Sequence, residues 1–437
     1  MPTAPLTHHQ VLLFLLQLAV LLAAALLLGR AATRLGLPAV VGELCAGVLL
    51  GPSVLAHVAP GLFTWLMPQE TAHVHLLDAV AQLAVLLLVG VTAVHLDAGL
   101  IRRRATAVAN ISVAALVVPL AAGVATGLAL PQRFVGHDTT RPAFALFLGV
   151  AMCVSAVPVI AKTLADMGML HRDVGQLSLA AAAIDDAVGW FLLSLVSAMS
   201  GVGLAFGVVT LRVVSLAGLA VFVVAVARPL VRAVLHRVSR SADGGLPAAV
   251  VVVVILLGAA TTHALQMEPV LGAFLAGVVV GGKGMLQPQH LAALRTVVLA
   301  VLAPIFMASA GLRIDLTAFR EPVVLLAAVA VLAVAVASKL AGAYLGARAS
   351  RLTHWEGVAV GAGMNARGAV GVVVAMVGLN LGVLTTATYT IIVFVAVVTS
   401  VAAVPLLQSA MPRIEASVSE EQRRRAWAAP VPEPVGR

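Results

Sequence analysis

Charge is the scarcest commodity in this chain. Of 437 residues only 10% are Asp, Glu, Lys or Arg, while 61% are hydrophobic. Soluble domains carry roughly 25% charged residues, so a soluble globular fold is excluded. Cysteine is nearly absent: Cys45 and Cys153 both fall in apolar runs, which rules out a disulfide framework. Strict alternation of polar and apolar residues is also missing, which excludes an outer-membrane barrel. The first apolar run, about 10–28, has no basic residue before it and no clear cleavage site, so it reads as a retained helix, not a signal peptide.

What is present is a succession of apolar runs, each of about the 20 residues that span a bilayer as a helix. The pattern predicts an all-α polytopic membrane protein of thirteen elements, at about 10–29, 37–55, 74–95, 107–129, 142–166, 175–199, 207–229, 246–264, 269–282, 293–312, 322–347, 355–379 and 386–410. Residues 1–411 form one transmembrane domain, and 412–437 read as a short disordered cytoplasmic tail.

The net charge of +9 is no sign of nucleic-acid binding, because most Arg and Lys sit in short loops. With the N-terminus outside, the inward loops hold fourteen basic residues: Arg30, Arg34, Arg102, Arg103, Arg104, Arg172, Arg228, Arg232, Arg237, Arg240, Lys283, Arg295, Arg348 and Arg351. The outward loops hold three, Arg133, Arg141 and Arg320. That asymmetry places the N-terminus outside and the C-terminus in the cytoplasm.

An internal repeat is visible. "LPAVVGELCAGVLLGP" (37–52) matches "EPVLGAFLAGVVVGG" (268–282), with Gly42, Gly47 and Gly51 in register with Gly272, Gly277 and Gly281. These are the second and ninth elements. Seven crossings apart, they run in opposite directions through the membrane, as in inverted-repeat transporters with a midplane site.

Three charges lie deep in apolar runs. Asp185 and Asp186 sit in "SLAAAAIDDAVGWFLL" and Lys339 in "VASKLAGAYLGA". Each costs about 2.5–3.5 kcal/mol at a helix centre unless paired or wetted. Adjacent helix residues point about 100° apart, so the two aspartates serve different partners. The simplest arrangement is a Lys339–Asp185 ion pair, with Asp186 facing a cavity along the small-residue face of Ser178 and Ala182. The alternative is a purely structural network of all three. Two elements look broken: "CVSAVPVIAKTL", where Pro158 removes a helical hydrogen bond beside Ser155, and "GAGMNARGAVGVV", with Asn365 and Arg367 among glycines. Pro158 alone is equally compatible with a simple kink.

The remaining polar residues carry less. Glu43 and Asp78 read as helix-packing groups, with half-buried gates as the alternative. Lys162 and Asp166 read as a solvated pair near a helix end, and Arg313 and Asp315 as anchors at an outer end. His95 and His263 have no partners at metal-ligand spacing. No G-x-G-D sequence accompanies the aspartates, and neighbours on one helix cannot face each other, which disfavours an intramembrane aspartyl protease. A buried lysine disfavours a passive cation channel.

Taken in order, "LPAVVGELCAGVLLGPSVL", "SAVPVIAKTL", "AAAIDDAVGW", "PIFMASAGLRIDL" and "GMNARGAVG" resemble the monovalent cation:proton antiporter-2 family, within the bacterial sodium/proton antiporter fold. The resemblance covers about residues 10–410. It implies thirteen helices divided into a dimerisation panel and a mobile core, two crossed discontinuous helices, a homodimer in the cell membrane, and no cofactor. It implies that Asp186 takes up a cation (Na+ or K+) or a proton, that Asp185 pairs with Lys339, and that Ser155 and Asn365 lie at the unwound crossing. An Asp–Asp pair with Lys implies electrogenic exchange. The potassium-efflux branch often carries a soluble nucleotide-binding domain that this sequence does not contain, so glutathione-gated efflux is not expected. Both Na+/H+ and K+/H+ exchange remain open.

Overall fold

The computed structural model describes residues 7–428 apart from 38, 68–70, 138, 201–213, 215–217, 220, 239–244, 266, 268, 282–290, 314 and 315. Its named elements are α1 (His8–Arg34), α2 (Ala39–Leu50), α3 (Thr71–Val94), α4 (Ala105–Ala129), α5 (Arg141–Cys153), α6 (Val157–Asp166) and α7 (Asp173–Ser200). They continue with α8 (Leu246–Ala264), α9 (Pro269–Val280), α10 (Ala292–Leu312), α11 (Pro322–Ala349), α12 (His354–Met364), α13 (Gly368–Asn380), α14 (Thr386–Ala410) and α15 (Val418–Ala428). Among the described residues, nine helices are long and apolar enough to cross a membrane, and α9 is a shorter apolar helix. Of the seventh expected element, 207–229, residues 207–213, 215–217 and 220 lie outside the described residues, as do Lys283 and Asp315.

Burial sorts the helices. The Arg141–Asp166 span is 94% buried and the His8–Arg34 span only 22%, so α5 and α6 sit at the centre and α1 faces lipid. The exposed side chains of α1 and α11, such as Leu15, Leu27, Leu326 and Leu345, are apolar because their solvent is hydrocarbon.

The repeat glycines explain the packing. A Cβ on Gly42 would lie 2.1 Å from the Leu28 carbonyl oxygen of α1, and one on Gly47 would lie 2.0 Å from the Ala308 oxygen of α10. In the second half, Gly272 presses on Gly258 of α8 (2.0 Å) and Gly277 on Gly90 of α3 (2.2 Å). So α2 is clamped between α1 and α10, and α9 between α8 and α3. Exchanging the first helix with the eighth and the third with the tenth maps one set onto the other, as two inverted repeats require. Close backbone approach through small residues is what drives helix association where lipid is as apolar as the side chains.

One expectation is corrected. Residues 418–428 of the tail, read as disordered, form helix α15 docked on the loops that precede α4 and α7. Glu420 accepts from Arg172 Nε (3.0 Å) and from the Asp173 N–H (2.5 Å), and Arg172 also donates to the Ile414 carbonyl (2.8 Å). Arg423 pairs with Asp173 and lies 3.6 Å from Asp97. Low hydropathy signals disorder only when no charged surface receives the segment; here the loops supply one.

Replacing Gly47 by Val should lower the melting temperature of the purified protein, by an overpacking cost of about 1–3 kcal/mol. A control Val at exposed Gly61, which has no neighbour within 4 Å, should leave thermal unfolding unchanged.

Candidate functional site

The two suspected breaks are real interruptions. Helix α5 ends at Cys153 and α6 starts at Val157; α12 ends at Met364 and α13 starts at Gly368, whose φ of +49° suits glycine. Pro158 lies in the first turn of α6, where a missing N–H costs little. The two non-helical stretches cross: the Ala156 N–H donates to the Ala366 carbonyl at 2.9 Å, and Ser155 Oγ lies 3.1 Å from the Met364 carbonyl.

Broken helices leave carbonyls at their C-terminal ends, and these carry partial negative charge. Two buried cations answer those of α5. Lys339 Nζ donates to the Cys153 carbonyl (2.5 Å), to the Ala115 carbonyl of α4 (3.0 Å) and to Asp185 Oδ2 (2.8 Å), with both side chains fully buried. Arg367 donates to the Met152 carbonyl (2.8 Å), the Ala335 carbonyl of α11 (2.9 Å) and Asn365 Oδ1 (3.2 Å). Asp185 is completed by the hydroxyls of Ser112 (2.7 Å) and Ser155 (3.3 Å). Its charge is therefore matched by Lys339 and hydrogen-bonded on both oxygens.

Asp186 is in a different setting. Its Oδ2 lies 3.4 Å from the Val157 N–H, at the first turn of α6, where the helix dipole favours negative charge. The Ser178–Ala182–Asp186 face meets α12 at its Ser178 end. Ser178 and Ala182 are buried, and Gly363 of α12 packs beside Ser178. The small residues serve close helix approach there. A cavity of about 400 Å³ does exist, lined by His75, Asp78, Gln82, Ser309, Arg313 and Val373 among others, between α3, α10 and α13. The Asp78–Arg313 ion pair stands at this cavity.

The structure thus brings Asp185, Lys339, Ser155, Asn365 and Arg367 together, with Asp186 alongside. It adds Ser112, which sequence reading missed because a lone serine in an apolar helix carries no periodic signal. It also corrects Lys162 and Asp166. They are not a solvated pair: Lys162 is 3% exposed and bridges Asp166 and Glu43, which is equally buried.

Inverted repeats, crossed half-helices at mid-membrane and buried paired charges together define a secondary transporter of ions. The chain belongs to the sodium/hydrogen exchanger family, whose transmembrane model matches residues 20–409. It is a cation/proton antiporter and not an enzyme. Similar proteins include the Na(+)/H(+) antiporter NhaS4 of Synechocystis, 29% identical over 92% of this chain and 98% of that protein. Another is the K(+)/H(+) antiporter 1 of Saccharomyces cerevisiae, 26% identical over 94% of this chain and 47% of that one. The Cation/H(+) antiporter 17 of Arabidopsis thaliana is 26% identical over 92% of this chain and 48% of its own length. The chain spans about half the length of these yeast and plant relatives. In fold it is similar to the sodium proton antiporter MjNhaP1 of Methanocaldococcus jannaschii, with a TM-score of 0.63, 16% identity, and 92% and 98% of the two chains covered.

Removing Lys339 should destabilise strongly, because it strands a buried carboxylate, the helix-end carbonyl of Cys153 and the mid-helix carbonyl of Ala115, whose i+4 position is Pro119. Lys339→Ala should cost about 3–5 kcal/mol, read as a lowered melting temperature. Adding Asp185→Asn to it should recover part of the loss.

Proposed function

We propose that the chain moves cytoplasmic Na+, or K+, outward in exchange for external protons at Asp186. The observation that carries this reading is the unequal treatment of the two aspartates. Asp185 is engaged with Lys339 at 2.8 Å, whereas Asp186 Oδ2 lies 3.4 Å from the Val157 N–H at the start of half-helix α6, beside the crossing. Ionised Asp186 binds a desolvated cation; protonated Asp186 does not. Both loaded forms cross, and the empty charged form is held back by the cost of burying a bare carboxylate. That asymmetry enforces exchange. Ser155 and Asn365 are placed to shape the site, and Arg367 to hold the crossing.

Relatives named for Na+ and for K+ exchange both support cation/proton antiport, and the Na+/H+ relative is the one whose whole length this chain spans. The helices of residues 1–411 divide into a panel of α1–α3 and α8–α10 and a core of the rest, with the panel forming a homodimer.

Exchange is electrogenic in this reading. Cation binding at Asp186 breaks the Asp185–Lys339 pair and Lys339 releases its proton. The outward step carries one cation on two carboxylates, and the return step carries protons on Asp186 and Lys339. One charge moves per cycle, which adds about 2.3 kcal/mol of driving force at 100 mV.

In proteoliposomes with a trapped pH dye, Na+ addition should drive proton movement in the wild type. Asp186→Asn, folded to the same melting behaviour, should lose it, and retained flux in that variant ends the proposal. An imposed membrane potential should speed or slow wild-type exchange according to its sign. If K+ and not Na+ elicits the response, the cation assignment moves to K+.

The loop charges support an external N-terminus and cytoplasmic tail. A single cysteine introduced in the basic 228–238 segment of a cysteine-free variant should resist impermeant thiol reagents on intact cells and react after lysis. Ready labelling from outside reverses the orientation.

A further inference from the structure

One short stretch of α4 holds both members of the buried pair. Ser112 Oγ donates to Asp185 Oδ1 at 2.7 Å, and the Ala115 carbonyl, three residues on, accepts from Lys339 Nζ at 3.0 Å. That carbonyl is available because the residue four further on is Pro119, which has no N–H to offer it. Ser112 is buried and lies outside every motif that carries the family resemblance.

Counting donors shows which proton can leave. The Lys339 ammonium has three N–H groups and three acceptors: the Ala115 carbonyl, the Cys153 carbonyl at 2.5 Å and Asp185 Oδ2 at 2.8 Å. A neutral amine keeps two N–H groups, enough for the two carbonyls, which take up no proton themselves. The proton that Lys339 gives up is therefore the one aimed at Asp185 Oδ2. It has two fates. The Nζ–H bond breaks and an Oδ2–H bond forms, leaving an amine beside a carboxylic acid with no change in net charge. Or the proton passes on to water, leaving an amine beside a carboxylate and one positive charge fewer in the core.

The two hydroxyls at Asp185 do not weigh equally on that choice. Each has a single hydrogen to donate. Ser155 Oγ lies nearer the Met364 carbonyl (3.1 Å) than Asp185 Oδ2 (3.3 Å), so its hydrogen is shared with the crossing. Ser112 Oγ lies 2.7 Å from Asp185 Oδ1 and 3.5 Å from the Ala181 carbonyl, so its hydrogen goes to the carboxylate. A hydroxyl that donates to a carboxylate stabilises the charged form, and such a bond is stronger than one between neutral groups. It acts on Oδ1, the oxygen that Lys339 does not touch, and so stays in place when the lysine lets go.

We propose that Ser112 is the positioning residue that keeps Asp185 ionised when Lys339 gives up its proton, and so sends that proton out of the protein instead of onto Asp185. The cation then crosses on two carboxylates beside a neutral amine, and one charge moves per cycle. Without the Ser112 hydroxyl the proton stays on Asp185, and exchange carries no net charge. The proposal rests on the electrogenic reading above and names the residue that enforces it.

The test counts protons. The purified full chain is titrated with Na+, or with K+ if only K+ drives exchange, by calorimetry in two buffers of different ionisation enthalpy. The pH is set at the acid edge of the exchange range, where the cation-free site is protonated. The wild type should release two protons per cation bound, from Asp186 and Lys339. Ser112→Ala should release one, and Ser112→Thr, which restores the hydroxyl, two. In proteoliposomes at equal pH on both sides, an imposed potential of about 100 mV should sustain about a fortyfold cation gradient for the wild type and Ser112→Thr, and close to none for Ser112→Ala. A Ser112→Ala protein that releases two protons, whatever its melting temperature, overturns the proposal and leaves the electrogenic reading standing. A wild type that releases one proton ends both. Should Ser112→Ala not fold, Ser112→Cys, whose thiol is a weak donor, takes its place with the same expected loss.

Discussion

Hydrocarbon offers no hydrogen bonds, so a helix broken inside it must have its ends satisfied by the protein itself. The architecture of the core follows from that constraint. The last carbonyls of α5 are taken by the Lys339 ammonium and the Arg367 guanidinium. Each cation reaches a second helix with its remaining donors, Lys339 to Ala115 on α4 and Arg367 to Ala335 on α11. The same bonds that satisfy the break thus tie the broken helices to their long neighbours. Asp185 then balances the lysine, and Ser112 and Ser155 fill its oxygens. Remove the break and none of these charges has a reason to be at mid-membrane.

Around this centre the packing is a matter of backbone distance. Glycines at matched positions bring α2 against α1 and α10, and α9 against α8 and α3. Other small residues do the same for α4 and α11, where Gly342 and Gly346 press on the backbone of Ala114 and Asn110. Interfaces of this kind are rigid, since any added methyl group would meet main chain. Rigid helix groups on either side of a crossed pair are what a two-state transporter needs: small shifts at the site become movements of whole groups because packed surfaces are bistable.

The repeat is symmetric in its frame and asymmetric in its charges. The frame is a set of glycine contacts that inversion maps onto one another. The charges break the symmetry in the centre, at Asp185, Asp186 and Lys339. Symmetry lets the two access states be close in energy. Asymmetric charge gives each state a different appetite for protons and cations, and differential affinity is the only means by which a ligand shifts such an equilibrium.

The sequence by itself determined the class of protein, the order of the membrane helices, the repeat and most of the central residues. Hydrocarbon imposes length and apolarity on every span, so hydropathy is a direct record of it, and an ionisable residue at depth is conspicuous because it is costly. The pairing of Asp185 with Lys339 was legible for that reason, and so were the breaks at Ser155–Pro158 and Asn365–Arg367. Tertiary structure decided what chemistry near the ends of helices means. Lys162 and Asp166 at i, i+4 look the same in sequence whether solvated or buried, and only the approach of Glu43 from α2 makes them a buried bridge. Ser112 became a partner of Asp185 through packing across more than seventy positions of chain. The tail became a helix because Arg172, Asp173 and Asp97, remote in sequence, present it with matching charges. Burial and long-range charge matching depend on which elements meet, and local sequence does not encode that meeting.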